Sequence, residues 1–191
     1  MSKKNLKDFK PNAAAFHEYK MWRFYYEHNF VRLFIELVAF LKSYFGLGVI
    51  SVLMPGYFAG IAAIRFRKCK GKESESDMVK ISNSLNSFYT IIANKSAQPI
   101  NVTKVADLEL HWWLVDRYPE KFNETRVEAI AAWAAELFAV DVERCLEFAQ
   151  YRSQAMELQD SYENKEVEKI DWNTIHTLLQ KSYSSLYATI Q

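Results

Sequence analysis

Lys104-Val-Ala-Asp-Leu-Glu-Leu-His-Trp-Trp-Leu-Val-Asp-Arg117 is the stretch from which the fold is read. Wound at about 100° per residue, Val105, Leu108, Trp112 and Val115 share one stripe, while Leu110 and Leu114 point to nearly the opposite side. A helix apolar on two sides reads as a central helix with others around it. Glu109 and Asp116 flank the Val105/Trp112 stripe two turns apart, roughly 10 Å along the axis. Carboxylates in packed surroundings need partners.

Working outward, every neighbouring segment also has helical spacing. Asn101 or Thr103 is suited to cap the central helix, and Tyr118-Pro119 ends it. Thr125-Arg-Val-Glu128 has the form of a capping box, opening a helix with Val127, Ile130, Ala131, Ala134, Leu137 and Phe138. Asp141 is placed to cap a helix from Val142 to about Tyr162, and Asp171 to open a last one bearing Ile175, Leu178, Leu179, Tyr183 and Leu186. Upstream, a helix over 77–94, capped by Ser76 or Asp77, buries Met78, Ile81, Leu85, Phe88 and Ile92. Residues 13–45 form two helices broken near His28-Asn29, with Gly46 closing the second. Sustained period-two alternation and internal repeats are both missing. The pattern predicts an all-α, single-domain bundle of seven or eight helices around the helix at 104–117, spanning 13–191, preceded by a flexible basic arm, 1–12, that carries Lys3, Lys4, Lys7 and Lys10.

Tyr44 to Ile64 is an uncharged run of 21 residues between Lys42 and Arg65, long enough to cross a bilayer. Gly56 and Gly60 are in GxxxG spacing, and Arg65, Arg67, Lys68, Lys70 and Lys72 follow. Gly46, Gly48, Pro55 and Gly56 interrupt the run, which favours a buried helix or helix pair over a membrane element. Left uncovered, it would form a homodimer interface or a membrane contact.

Composition narrows the classes. In 191 residues half are apolar and a quarter charged, as in a folded domain, and 15% are aromatic, which suits large rings packed between helices or lining a cavity. A formal net charge of +1 gives no long-range pull on nucleic acid, and none is expected as a partner. Cys69 and Cys145 form neither a CxxC nor a Cys/His cluster, so a reducing, cytoplasmic setting without disulfide or zinc is expected. No apolar run precedes position 30, so no secretory signal is expected.

Catalytic signatures are sparse. The glycines lack a following Lys-Ser/Thr, and Gly-x-Ser-x-Gly and His-Glu-x-x-His do not occur. Glu-x-x-His, which carboxylate di-iron bundles use, is also missing, and no metal or other cofactor is expected. Cys145 falls on an apolar stripe and reads as an inert thiol. Arg152, at the edge of that stripe, is placed to meet Glu109 or Asp116 with bidentate geometry. Such a pair would fix how two helices meet, and removing Glu109 would leave Arg152 buried and unpaired. The same residues can instead line a polar pocket among the tryptophans. Candidate binding residues are therefore Tyr25, Tyr26, Glu109, Trp112, Trp113, Asp116, Arg117 and Arg152, with Arg117 one turn beyond Trp113 and able to stack on it.

Trp22-Arg-Phe-Tyr25-Tyr26, Phe45-Gly46, Leu108-Glu109-x-x-Trp112-Trp113-x-x-x-Arg117 and Arg152-x-x-Ala155-Met156-x-x-x-Asp160 together resemble a pattern found in uncharacterised bacterial proteins of similar length. The resemblance spans most of the chain and implies a bacterial, cytoplasmic, helical protein without implying an activity. Asp116 stands where that pattern has a histidine before the arginine, which speaks against proton chemistry at position 116. Three functions follow from the residues. The first is a helical binding or interaction protein that holds a small apolar or aromatic molecule or self-associates. The second is an enzyme with Glu109 or Asp116 as acid–base and an arginine as anion holder. The third is a membrane-associated protein acting through residues 44–64.

Overall fold

Caps divide the chain into its helices. The structure, a computed structural model, describes residues 3–48 and 50–191. Pro11 sits in the first turn of α1 (Pro11–Tyr26), where its missing N–H costs nothing. The chain turns through His28, and the Asn29 side chain accepts from the Arg32 N–H to start α2 (Phe30–Phe45). Gly46 ends α2 at φ 64°, a conformation that glycine adopts without strain. After a 3-10 turn at Ile50–Val52 comes α3 (Leu53–Lys68). The cap of α4 (Glu75–Lys95) is Ser74, two or three residues before the expected one, because Ser74 and Asp77 complete a reciprocal capping box. Asn101 caps α5 (Val102–Arg117), and Thr125 with Glu128 forms the predicted box at α6 (Arg126–Phe138). The helix expected from Val142 begins with a 3-10 turn, Val142–Cys145, and becomes α-helical only in α7 (Leu146–Glu163). Asp171 accepts from the N–H groups of Asn173 and Thr174 at α8 (Trp172–Ile190).

Thr125→Ala removes the side-chain half of its box, the hydroxyl that accepts from the Glu128 N–H, and is expected to cost about 1 kcal/mol, measured as a lower midpoint in urea unfolding with an unchanged slope.

Eight α-helices and no strand occur among the described residues, so the chain folds as an all-α bundle. Successive helices pack on one another, and α8 returns to pack on α1, closing a circuit. Side chains large enough to reach across it fill the middle, which accounts for the aromatic share. Tyr44 is the hub, with ring centroids 5.1 Å from Phe9, 5.3 Å from Phe40, 5.5 Å from Tyr183 and 6.0 Å from Phe138. α5 lies between α4 and α6 and buries Val105, Ala106 and Val115 fully, while Leu108, Leu110, Trp112 and Trp113 are half-buried.

The basic arm departs from the sequence reading. Leu6 and Phe9 are buried, Lys4 exchanges backbone hydrogen bonds with Lys95 and Ala97, and the Lys10 N–H donates to the Ser43 carbonyl. Two apolar side chains, three residues apart among the lysines, give the segment enough buried area to hold it against the bundle. Residues 1–2 of that arm lie outside the described residues.

Candidate functional site

Arg152 on α7 enters the middle of the circuit between two indoles, its guanidinium carbon 5.7 Å from the Trp22 ring and 5.9 Å from that of Trp112. Its partner is Glu18 on α1, not Glu109 or Asp116. The two Nη atoms donate to Glu18 Oε2 and Oε1 at 2.7 and 2.6 Å, a bidentate pair with side chains 13% and 6% exposed. Tyr183 on α8 donates its hydroxyl to Glu18 Oε2 at 2.6 Å, so three helices close on one carboxylate. Burial opposes the charge on Arg152, yet the facing Glu18 outweighs it and holds the guanidinium pKa above its ordinary value. Burial pushes the Tyr183 hydroxyl up, which keeps it a donor.

Glu109 has a different partner. Tyr89 on α4 donates to Glu109 Oε2 at 2.5 Å, and Trp133 on α6 donates its indole N–H to the Tyr89 oxygen at 2.8 Å. Burial pushes the Glu109 carboxyl up to about 7, although the Tyr89 hydrogen bond and the charge on Arg152 pull it the other way. Trp112 Nε1, Tyr44 Oη and Arg152 Nε are buried and have no hydrogen-bond partner among the described residues. The middle of the bundle is therefore a polar centre with spare donors.

The other candidate residues go elsewhere. Asp116 pairs with Arg126 at 2.6 Å, and the same Arg126 nitrogen reaches Asp160 at 2.8 Å, joining α5, α6 and α7. Burial raises the Asp116 pKa above its ordinary value against the pull of Arg126. Arg117 stacks on Phe66 of α3, 3.3 Å from the ring centroid, instead of on Trp113, and donates to Glu73 at 3.1 Å. Trp113 lies 5.2 Å from Phe66, so both residues tie α5 to α3. Glu73 also accepts from the Tyr118 hydroxyl, which with Arg117 holds its carboxyl down at about 2. Tyr25 stacks under Arg67, and Tyr26 donates to Glu163 at 2.5 Å beside Trp172. Of the eight candidates, Glu109, Trp112 and Arg152 come together. Glu18, Tyr183, Tyr89 and Trp133 complete the centre and were not among those eight. Burial pushes the Cys145 thiol up to about 11, in keeping with an unreactive thiol.

Two surface grooves lie around Asn101, Lys104 and Leu108, and neither is lined by Glu109 or Arg152. Among the described residues no three His, Cys, Asp or Glu side chains are grouped to hold a metal ion.

A second feature lies on the outside. The run at 44–64, expected to be a buried helix or helix pair, divides after Gly46, while Pro55 and Gly56 fall inside the first turn of α3. The run is covered on one side only: Tyr44, Phe45, Val52 and Ala62 are buried while a second side is open. Among the described residues no single helix is long and apolar enough to cross a membrane, although α2 with the segment Ile50–Lys68 passes that test as a pair bent by 103°. On α2, Phe30, Val31, Phe34 and Ile35 are 57, 73, 43 and 58% exposed. On the following segment Ile50, Leu53, Met54, Tyr57 and Ile64 are 87, 48, 55, 55 and 55% exposed. Both sets fall at helical spacing, so each makes a single stripe. The helices meet at Gly56, where an added Cβ would lie 3.6 Å from Leu41 and 3.9 Å from Phe34. Both are ordinary van der Waals distances, so the first turn of α3 rests against α2 beside Phe34, and the two stripes adjoin there.

Comparison with protein-family models, curated proteins and solved structures finds no match for this chain.

Proposed function

We propose that the protein is an interaction protein whose working surface is the apolar face of α2 and α3. The observation that carries this reading is the set of nine large apolar side chains, each at least 43% exposed, arranged as two adjoining stripes. Single exposed apolar residues are ordinary, but a contiguous group of this size marks a surface that is covered in use. The polar centre supplies the rigid scaffold behind it, since Glu18 in α1 ties the helix paired with α2 to α7 and α8.

Sedimentation velocity with and without a mild non-ionic detergent tests this. The wild-type chain is expected to sediment as more than a 22.4 kDa monomer or to take up detergent. The variant Ile35→Glu/Met54→Glu/Tyr57→Glu is expected to remain a bare monomer in both. All three positions are more than half exposed, so the substitutions leave the fold intact. A wild-type chain that sediments as a bare monomer under both conditions would refute the proposal.

A second reading is a small-molecule site at the polar centre, favoured by the three unpartnered donors around Arg152 and by Glu109, whose carboxyl titrates where a general acid or base is useful. Native mass spectrometry of protein purified without detergent would display a co-purified molecule. Its presence is what this second reading requires.

A further inference from the structure

We infer that the occupant of the α2–α3 face is the surface of an anionic lipid membrane, which rests on the reading that this face is a docking surface. Charge at the ends of the stripes argues for it. From Phe30 to Lys72 the basic residues are Arg32, Lys42, Arg65, Arg67, Lys68, Lys70 and Lys72, whereas Glu36 is the one acidic residue. Glu36 is 2.7 Å from His17 Nδ1 and turned to that contact.

The placement is as informative as the count. Lys42 continues the α2 stripe one turn past Val38, and Lys68 continues the α3 stripe one turn past Ile64. Both lysines are exposed, and each apolar stripe therefore ends in a cation on a long flexible stem. That is the arrangement in which an amphipathic helix lies in the plane of a bilayer, its apolar face among the acyl chains and its lysines among the phosphates. The docked arm adds cations at the C-terminal end of α2, where the Lys4 side chain lies 3.8 Å from an ideal Cβ on Gly46 and Lys10 is held by Ser43.

A second copy of the chain fits less well, because two such faces would bring two sets of cations together with one acidic residue each to answer them. The bend of 103° and the short helices exclude a straight span and suit a surface-lying mode, which needs no 30 Å apolar length.

Vesicle sedimentation with the full chain tests the inference. The probes are vesicles of phosphatidylcholine alone and of phosphatidylcholine mixed with phosphatidylglycerol. Wild-type protein is expected to bind the mixed vesicles at least about tenfold more tightly than the neutral ones, and to release as salt screens the lysines. Lys42→Glu/Lys68→Glu/Lys70→Glu is expected to lose at least roughly 100-fold in affinity for mixed vesicles, at about a factor of five for each of the three cations removed. The Ile35→Glu/Met54→Glu/Tyr57→Glu variant should not bind at all. Equal binding to both vesicle types, or charge reversal without effect, overturns the inference. No vesicle binding, with a wild-type dimer that the apolar variant dissociates, overturns it and leaves the docking face standing with a second copy as occupant. No vesicle binding by a chain that is also monomeric and takes up no detergent defeats both.

Discussion

Arg152→Leu is expected to destabilise the fold by about 3 kcal/mol or more. The substitution leaves the Glu18 carboxylate 6% exposed, with the Tyr183 hydroxyl as its remaining donor in the structure. For a chain of this size such a loss lowers the thermal midpoint by roughly 6–12 °C. Glu18→Leu should be as damaging, since it strands the guanidinium between the two indoles. The double variant Glu18→Leu/Arg152→Leu is expected to be more stable than either single one, because the cost lies in the uncompensated charge more than in the lost pair. Urea unfolding of the three variants measures both effects. Single variants that unfold with the wild type would show that this pair does not hold α1 to α7.

Glu109→Gln is expected to act in the opposite direction, and the sign comes from proton linkage. Burial raises the folded-state carboxyl from 4.5 to about 7. Below pH 4.5 both states hold the proton and Glu109 adds no pH dependence. Between 4.5 and 7 the unfolded chain ionises while the folded one keeps its proton, so stability falls as pH rises, and above 7 the loss is complete. The total is on the order of 3 kcal/mol. Glutamine keeps an acceptor for Tyr89 and cannot ionise. The variant is therefore expected to match the wild type near pH 4.5 and exceed it by that amount at pH 8, as measured by urea unfolding at the two pH values. A variant less stable than the wild type at pH 8 would mean that the ionised carboxylate is held by more than Tyr89. Had Arg152 been the partner of Glu109, the same substitution would have been damaging at every pH above the carboxylate range.

Elements whose information is local were legible in the sequence. The Asn29 cap, the Thr125–Glu128 box and the Gly46 terminus that divides the 44–64 run all follow from backbone chemistry within a few residues. Partner choice was not legible. Arg152 could be placed beside an apolar stripe, but its two nearest acidic candidates lie on α5, whereas Glu18 is 134 residues away and reaches it only because α8 folds back on α1. A signal was nevertheless present: Glu18 is one turn from buried Ala14 and one turn from Trp22, on the inward face of α1. Leu6 and Phe9 likewise stood among the arm's lysines as the apolar pair that docks it. The exposure of the α2–α3 face was beyond a one-dimensional reading, because an apolar stripe has the same spacing whether a neighbour covers it or not.

The central claim is that this face is open in the free chain and covered when the protein is in use. Hydroxyl-radical footprinting of the full chain, free and bound to phosphatidylcholine/phosphatidylglycerol vesicles, tests it residue by residue. The account predicts rapid labelling of Met54 and Tyr57 in the free monomer and strong protection on the vesicles, with half-buried Met156 labelled equally in both. Slow labelling of Met54 and Tyr57 in the free chain, or labelling that vesicles leave unchanged, would contradict it.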